Sequence, residues 1–320
     1  MATAEAVIQI KWLTKAYGKN EVLRGIDIQV ERGTMLALLG PNGAGKTTTV
    51  RILSTLLDFD GGDVRVAGHD VKREADKVRR VIGLTGQSAA LDELLTGREN
   101  LIMMGRLYRL TKASATARAK ELLEQFDLVK AADRPAKTYS GGMRRRLDLA
   151  VSLIASPPII FLDEPTTGLD PRSRLAMWEI IKRLMANGTT ILLTTQYLEE
   201  ADQLADQIVV IDGGKVIAKG TAAELKSKVG KDRLELTFKD AATYKSAQDV
   251  LGKSVVDANE KEYALSLVIN DTNKDVKNIL EALDNAKATI TAMAVHKPTL
   301  DDVFLSLTGK QAKIEKVEAK

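Results

Sequence analysis

The residues best suited to chemistry form one loop, Gly40-Pro41-Asn42-Gly43-Ala44-Gly45-Lys46-Thr47-Thr48. The apolar run Met35 to Leu39 before it reads as a buried strand, and Thr49 to Leu53 after it as the start of a helix. Glycines let such a loop curl until successive N–H groups face one point, and the helix N-terminus adds its positive dipole end there. Strand, glycine loop and helix in this order make a phosphate-binding P-loop. Lys46 then reaches the β- and γ-phosphates and Thr47 ligates Mg²⁺. Further along, the apolar run Ile159 to Leu162 ends in Asp163 and Glu164. Carboxylates at a strand end of an open α/β sheet face the ligand crevice. Asp163 is placed to organise Mg²⁺ and Glu164 to polarise an attacking water, since phosphoryl transfer rests on positioning and charge. Ser140-Gly141-Gly142, ahead of a helix-compatible run from Arg144 to Ile154, makes a second anion cradle. Tyr17, in the turn Tyr17 to Asn20, offers a ring on which an adenine can stack.

These groups need a scaffold, and the hydrophobic periodicity supplies one. Val7 to Val30 alternates as antiparallel strands, Asp60 to Asp63 reads as a turn, and Val64 to Asp70 as a short hairpin. Val81 to Leu84 is a buried strand that ends at Gln87. From Leu94 to Phe126 the spacing is helical, with Leu101, Met104, Leu107 and Tyr108 on one face. Gly168 to Pro171 is a turn before an amphipathic helix, Leu175 to Met185, and Thr190 to Thr195 is another buried strand, ending at Gln196. Beyond about residue 230 the pattern changes to alternating and helical segments without a catalytic constellation, a small α+β unit.

The composition is that of an ordinary globular protein: 320 residues, 44% hydrophobic and 28% charged. A net charge of +4 is a slight excess over a mixed background and points weakly to an anionic membrane surface; no nucleic-acid partner is expected. The absence of cysteine excludes disulfides, thiolate metal sites and cysteine nucleophiles. Residues 1–6 carry no secretory pattern, and no apolar run approaches the ~20 residues of a bilayer span, so any membrane function needs a separate spanning partner.

Taken together, the motifs resemble the nucleotide-binding subunit of an ATP-binding-cassette (ABC) transporter over roughly residues 5–225. Within that resemblance Gly40 to Thr48 is the Walker A motif, Ile159 to Asp163 with Glu164 is Walker B and its catalytic base, Gln87 is the glutamine of the Q-loop, Ser140-Gly141-Gly142 the signature, Asp170 part of the D-loop and Tyr17 the adenine-stacking aromatic. More narrowly, Tyr139-Ser140-Gly141-Gly142-Met143-Arg144-Arg145-Arg146-Leu147-Asp148, the segment Thr194 to Asp202 and the C-terminal Pro298 to Phe304 resemble the daunorubicin-resistance type of drug-export ATPase. Tyr139 and Met143 depart from the commonest signature, and Gln196 stands where most relatives carry a switch histidine; its amide can donate to a γ-phosphate but cannot become cationic. The resemblance implies an α/β fold: an ABC ATPase domain over 5–228 with a mixed central sheet, an antiparallel β subdomain and a helical subdomain at about 88–156. A C-terminal α+β domain at 231–308 and a tail at 309–320 follow. It also implies ATP and Mg²⁺ as ligands, with metal contacts from Thr47, Gln87 and Asp163. Catalytic roles fall to Glu164, Lys46, Gln196 and Gln87. The expected assembly is a head-to-tail homodimer at the cytoplasmic membrane face, driving separate permeases for drug export. The other classes are a soluble cassette ATPase in DNA repair or on ribosomes, and an exporter of lipid or polysaccharide. The short stretch between Lys46 and Asp163 leaves no room for the long coiled coil of chromosome-type relatives, and the single cassette is unlike ribosome-acting ones.

Overall fold

The computed structural model describes residues 6–86, 91–229 and 232–308. The chain divides into two compact units, Met1–Ala222 and Ala223–Lys320.

The first unit is built on a six-stranded sheet in the order β10-β9-β3-β8-β7-β6, where β3 is Met35–Leu39, β6 Ile82–Thr85, β7 Ile159–Asp163, β8 Thr190–Thr195, β9 Gln207–Asp212 and β10 Lys215–Gly220. All neighbours are parallel except β10, which pairs antiparallel with β9. Strands β3, β7 and β8 are buried at every position. That is why they read as continuous apolar runs: both sheet faces are covered. Alternate residues serve different cores. Leu36, Leu38, Phe161 and Leu192 pack with Ile8, Ile10 and Ile26 of an antiparallel sheet, whereas Met35, Ile160, Leu162, Ile191 and Leu193 pack with Leu147, Trp178 and other helical residues. The antiparallel sheet runs β2-β1-β4-β5, with β1 Ala6–Tyr17, β2 Asn20–Glu31, β4 Gly61–Val66 and β5 His69–Asp70.

Helix α1 is Lys46–Leu53 and α2 is Ala75–Val81. Helices α3 (Gly97–Leu107), α4 (Lys112–Gln125) and α5 (Gly141–Ser152) form the block between β6 and β7. Thr96 and Thr111 cap α3 and α4, and in α3 the Glu99 side chain returns the bond in a capping box. Helix α6 is Pro171–Ala186, α7 Leu198–Leu204 and α8 Ala222–Val229. The mixed central sheet, antiparallel sheet and helical block are the layers that the sequence resemblance implies.

The structure moves some expected boundaries. Asp60 to Asp63 is not a free turn: Gly61 pairs with Thr14 and the strand continues from there. Gly62 has φ +108, and a Cβ on it would lie 2.6 Å from the carbonyl oxygens of Lys11 and Trp12. It fits against a β1 bulge at Trp12, and only glycine allows that approach. Helix α5 begins at Gly141 rather than Arg144, because Ser140 caps it through the Met143 N–H. Helix α6 begins at Pro171 rather than Leu175, since Asp170 caps it and proline suits the first helical position.

The C-terminal unit has the order β11 (Asp232–Phe238), α9 (Ala241–Leu251), β12 (Val255–Asn259), β13 (Ala264–Ile269), α10 (Thr272–Asn285), β14 (Ile290–His296) and α11 (Leu300–Thr308). Its sheet runs β12-β13-β11-β14 with every neighbour antiparallel, the split βαβ arrangement. Leu234, Leu236, Phe238, Leu265 and Leu267 pack with Tyr244, Ala247 and Leu283 in its own core.

Candidate functional site

The register of the parallel strands assembles the site. Leu39 lies beside Thr195, and Asp163 beside Thr194. The loop after β3, the carboxylates after β7 and Gln196 after β8 therefore emerge at one sheet edge, the carboxyl edge where open α/β sheets bind ligands.

The P-loop runs from Gly40 to the start of α1. Gly45 sits at its N-cap with φ +105, and a Cβ there would lie 2.5 Å from Leu23 Cδ2. Any other residue would be strained and crowded at once. Lys46 is buried at 4% exposure, with its ammonium donating to the Gly40 carbonyl at 2.8 Å and the Pro41 carbonyl at 3.2 Å. Glu164 Oε1 lies 3.6 Å from the same nitrogen. Burial lowers the Lys46 pKa from its ordinary value, with Glu164 and then Asp163 opposing.

Asp163 is buried. Its Oδ1 accepts from Thr47 Oγ1 at 3.2 Å and from Thr194 Oγ1 at 2.5 Å. A threonine hydroxyl and a carboxylate oxygen held together form a hard-oxygen donor pair of the kind Mg²⁺ takes beside phosphate oxygens. Among the described residues there is no cluster of histidine, cysteine and carboxylates able to hold a metal without such help.

Glu164 has φ +52, a left-handed backbone rare outside glycine. Its N–H is shared between the Thr194 carbonyl at 3.0 Å and Thr194 Oγ1 at 3.2 Å, and its Oε2 accepts from Thr167 Oγ1 at 3.4 Å. Glu164, Asn42, Gly141, Arg145, Leu169 and Gln196 line a single open cleft of about 840 Å³. Gln196 and Ser140 are exposed.

The remaining expected site residues are placed as follows. Tyr17 ends β1, is 47% exposed, and has the Lys15 ammonium 5.6 Å from its ring centre. The Asp170 carboxylate accepts from the Ser173 N–H at 3.0 Å and from its hydroxyl at 2.6 Å, which holds its pKa below the usual carboxylate value. No hydrogen bond or ion pair among the described residues joins Ser140-Gly141-Gly142 to the P-loop. Gln87 lies outside the described residues. Tyr139 is buried in the helical core with its hydroxyl donating to the Ala131 carbonyl at 2.7 Å, so its departure from the commonest signature is absorbed by packing.

Three residues of the site, Thr194, Arg145 and Glu200, lie within segments that carry the resemblance, but the sequence assigns none of them a role of its own. Thr194 bridges Asp163 and Glu164. Glu200, on α7, is fully buried, and its Oε1 accepts from Thr166 Oγ1 at 2.8 Å and Trp178 Nε1 at 3.1 Å. It ties the loop after Glu164 to helix α6 and to the segment after Gln196. Burial raises its pKa above the ordinary 4.5, with hydrogen bonds and Arg174 opposing. The folded state then holds a proton that the unfolded chain releases. This stability is present below the unfolded pKa and lost as pH rises through the folded one. Replacement by Gln keeps an acceptor for Thr166 and Trp178 and removes the ionisation. The melting temperature of Glu200→Gln relative to wild type is expected to rise with pH above the ordinary glutamate range. A difference independent of pH in paired melts would contradict this.

The C-terminal unit has a cavity of about 580 Å³ lined by Arg233, Glu235, Asp257, Glu262, His296 and Asp302. Charges of both signs mix there, His296 pairs with Glu235 at 2.9 Å, and the glycine loop and Asp-Glu pair of the P-loop cleft have no counterpart.

Comparison with known proteins agrees with this geometry. Residues 23–167 match the ABC transporter family and residues 220–308 the C-terminal domain of DrrA1-3-like ATP-binding proteins. The chain is 50% identical to the daunorubicin resistance ATP-binding protein DrrA3 of Streptomyces coeruleorubidus, over 98% of this chain and 99% of that one. It is 37% identical to the Nod factor export ATP-binding protein I of Ralstonia nicotianae, over 95% and 94% of the respective chains. Among solved structures, a dimeric ATP-binding cassette in a post-hydrolysis state with ADP and Pi superposes with a TM-score of 0.61 at 27% identity, over 67% of this chain and 98% of that one. The strand-edge site, the two family matches and the near-full-length identity agree: this chain belongs to the ABC transporter ATPases, enzymes that couple ATP hydrolysis to transport, and within them to the daunorubicin-resistance type of ATP-binding protein.

Proposed function

We propose that this protein is the ATP-driven motor of a drug exporter, working as a head-to-tail homodimer beneath separate membrane permeases at the cytoplasmic face. The observation that carries this reading is the 50% identity, over almost the whole of both chains, to a daunorubicin resistance ATP-binding protein. Its boundaries are an ATPase domain at 5–228, an accessory domain at 231–308 and a tail beyond.

In this reading the P-loop amides from Gly40 to Thr48 cradle the ATP phosphates and Tyr17 stacks on the adenine. Lys46 exchanges its carbonyl partners for β- and γ-phosphate oxygens, a charge-assisted contact stronger than the one it leaves. Thr47, Asp163 and Gln87 hold Mg²⁺, which when bound offsets phosphate charge. Glu164 orients the attacking water and takes its proton, and Gln196 donates its amide to the γ-phosphate. The exposed cradle Ser140-Gly141-Gly142 of one copy closes on the ATP held by its partner, with Asp170 at the seam. Closure that needs ATP converts binding energy into movement of the permeases. Among the described residues no helix is long and apolar enough to cross a membrane, so the spanning part falls to those permeases. A second reading, export of a cargo of the Nod factor kind, rests on the similarity to a Nod factor export ATP-binding protein.

The test is capture of the full chain from detergent-solubilised membranes of its source, comparing wild type with Glu164→Gln in MgATP. The expected result is co-purification of a multi-span protein in roughly equal amount, with more retained by the variant. Recovery of ribosomes, nucleic acid or the chain alone, with ATP binding intact, would overturn the transport assembly.

A further inference from the structure

Arg145, on the second turn of α5, makes an unusual set of bonds. Its Nε donates to the Pro165 carbonyl at 2.8 Å, and its Nη2 to the Glu164 carbonyl at 2.9 Å and the Asp163 carbonyl at 3.2 Å. Its Nη1 donates to the Gly86 carbonyl at 2.6 Å, with Asp148 Oδ2 at 3.7 Å. The side chain is only 12% exposed. One guanidinium thus gathers three consecutive carbonyls, from the last residue of β7 and the two after it, and a fourth from the loop after β6.

Three consecutive carbonyls cannot face one cation in an extended strand, where they alternate in direction. They converge here because Glu164, the middle residue, is left-handed at φ +52. A non-glycine residue in that conformation is strained and persists only where its surroundings over-determine it. The surroundings here are Thr194, which accepts from the Glu164 N–H, and Arg145, which donates to the Glu164 carbonyl and to those on both sides of it. This backbone conformation is the one in which the Glu164 carboxylate comes to 3.6 Å from Lys46.

From this we propose that Arg145 is a positioning residue for hydrolysis: it holds Glu164 in its left-handed conformation and locks it to helix α5 and to Gly86. The proposal rests on Glu164 being the group that activates water. The helix that Ser140 caps is thereby joined to the backbone of Glu164 and to the residue preceding Gln87. A shift of α5 as its cradle engages nucleotide is transmitted to the carboxylate through four hydrogen bonds. The planar fork of arginine is needed, because a lysine ammonium is a point donor that cannot span carbonyls on two loops.

The experiment measures MgATP affinity, kcat, KM and melting temperature for full-length wild type, Arg145→Ala, Arg145→Lys and Glu164→Gln. Arg145→Ala is also assayed with millimolar guanidinium. Misplacing a reacting group by about 1 Å can cost on the order of 10²-fold, so kcat is expected to fall by about 10- to 100-fold in both Arg145 variants. MgATP affinity should stay within about twofold of wild type, because Arg145 reaches Asp163 only through its backbone carbonyl, leaving the carboxylate's bonds to Thr47 and Thr194 in place, and makes no hydrogen bond or ion pair to the P-loop among the described residues. Guanidinium should restore part of the activity of Arg145→Ala and none of that of Glu164→Gln. Either of two results would overturn the proposal while Glu164→Gln is inactive: full restoration by lysine, or a fall in kcat matched by equal losses of affinity and melting temperature. Wild-type kcat in both Arg145 variants would do the same. Hydrolysis by Glu164→Gln would instead remove the reading of Glu164 itself. Should Arg145→Ala fail to fold, Arg145→Lys, which retains the charge and most of the packing, decides the matter alone.

Discussion

Glu164→Gln is expected to lower kcat for ATP hydrolysis by about 10²- to 10⁴-fold, the range typical of losing a general base, while leaving MgATP affinity near that of wild type. The substitution is close to isosteric. The oxygen of the introduced amide can still accept from Thr167, and the backbone bonds to Thr194 and Arg145 do not involve the side chain. What is lost is the ability to take a proton and the negative charge 3.6 Å from the Lys46 ammonium. Removing that charge leaves Lys46 freer to bind the γ-phosphate. The variant is therefore expected to accumulate as an ATP-bound dimer, measurable by light scattering in saturating MgATP. A monomer under those conditions would count against head-to-tail pairing, and residual turnover near wild type would remove Glu164 from the chemistry.

The second large effect is on binding. Lys46→Ala is expected to weaken MgATP affinity by about 10²- to 10⁴-fold, since hydrogen bonds to charged groups contribute about 1.5–3 kcal/mol each and Lys46 would make two. The loss has a structural component too. Without the ammonium, Glu164 stands at 11% exposure without its cationic partner, an arrangement that costs stability. Isothermal titration together with a melt separates the two parts. The contrast with Glu164→Gln is diagnostic: one variant binds without turning over, and the other fails to bind. Affinity within about twofold of wild type in a folded Lys46→Ala protein would contradict the assigned role.

Much of this molecule is legible in its sequence because the physics involved is local. The glycine spacing before Lys46 is a statement about backbone freedom, and the apolar runs at Met35, Ile159 and Thr190 mark strands buried on both faces wherever they stand in the chain. Helix starts are less legible where a cap decides them, since Ser140 and Asp170 begin their helices earlier than the apolar periodicity does. At Gly62, a residue that reads as a turn serves instead a bulge in a strand some fifty positions away.

The order of amino acids is enough to supply the inventory: a phosphate loop, an Asp-Glu pair at a strand end, a second anion cradle, a glutamine after a buried strand, and a separate C-terminal unit. How that inventory is aligned depends on the folded chain. The parallel register of β3, β7 and β8 brings Lys46, Asp163 and Gln196 to one edge. Thr194 binds both Asp163 and Glu164, Glu200 ties together residues from three segments, and Arg145 gathers carbonyls from two loops. The sequence gives none of these last three a role of its own, for one physical reason. Their partners, backbone carbonyls for Arg145, a carboxylate and a backbone N–H for Thr194, a hydroxyl and an indole N–H for Glu200, are groups that many positions of the chain can supply, and only the folded chain selects which of them stand within hydrogen-bond reach.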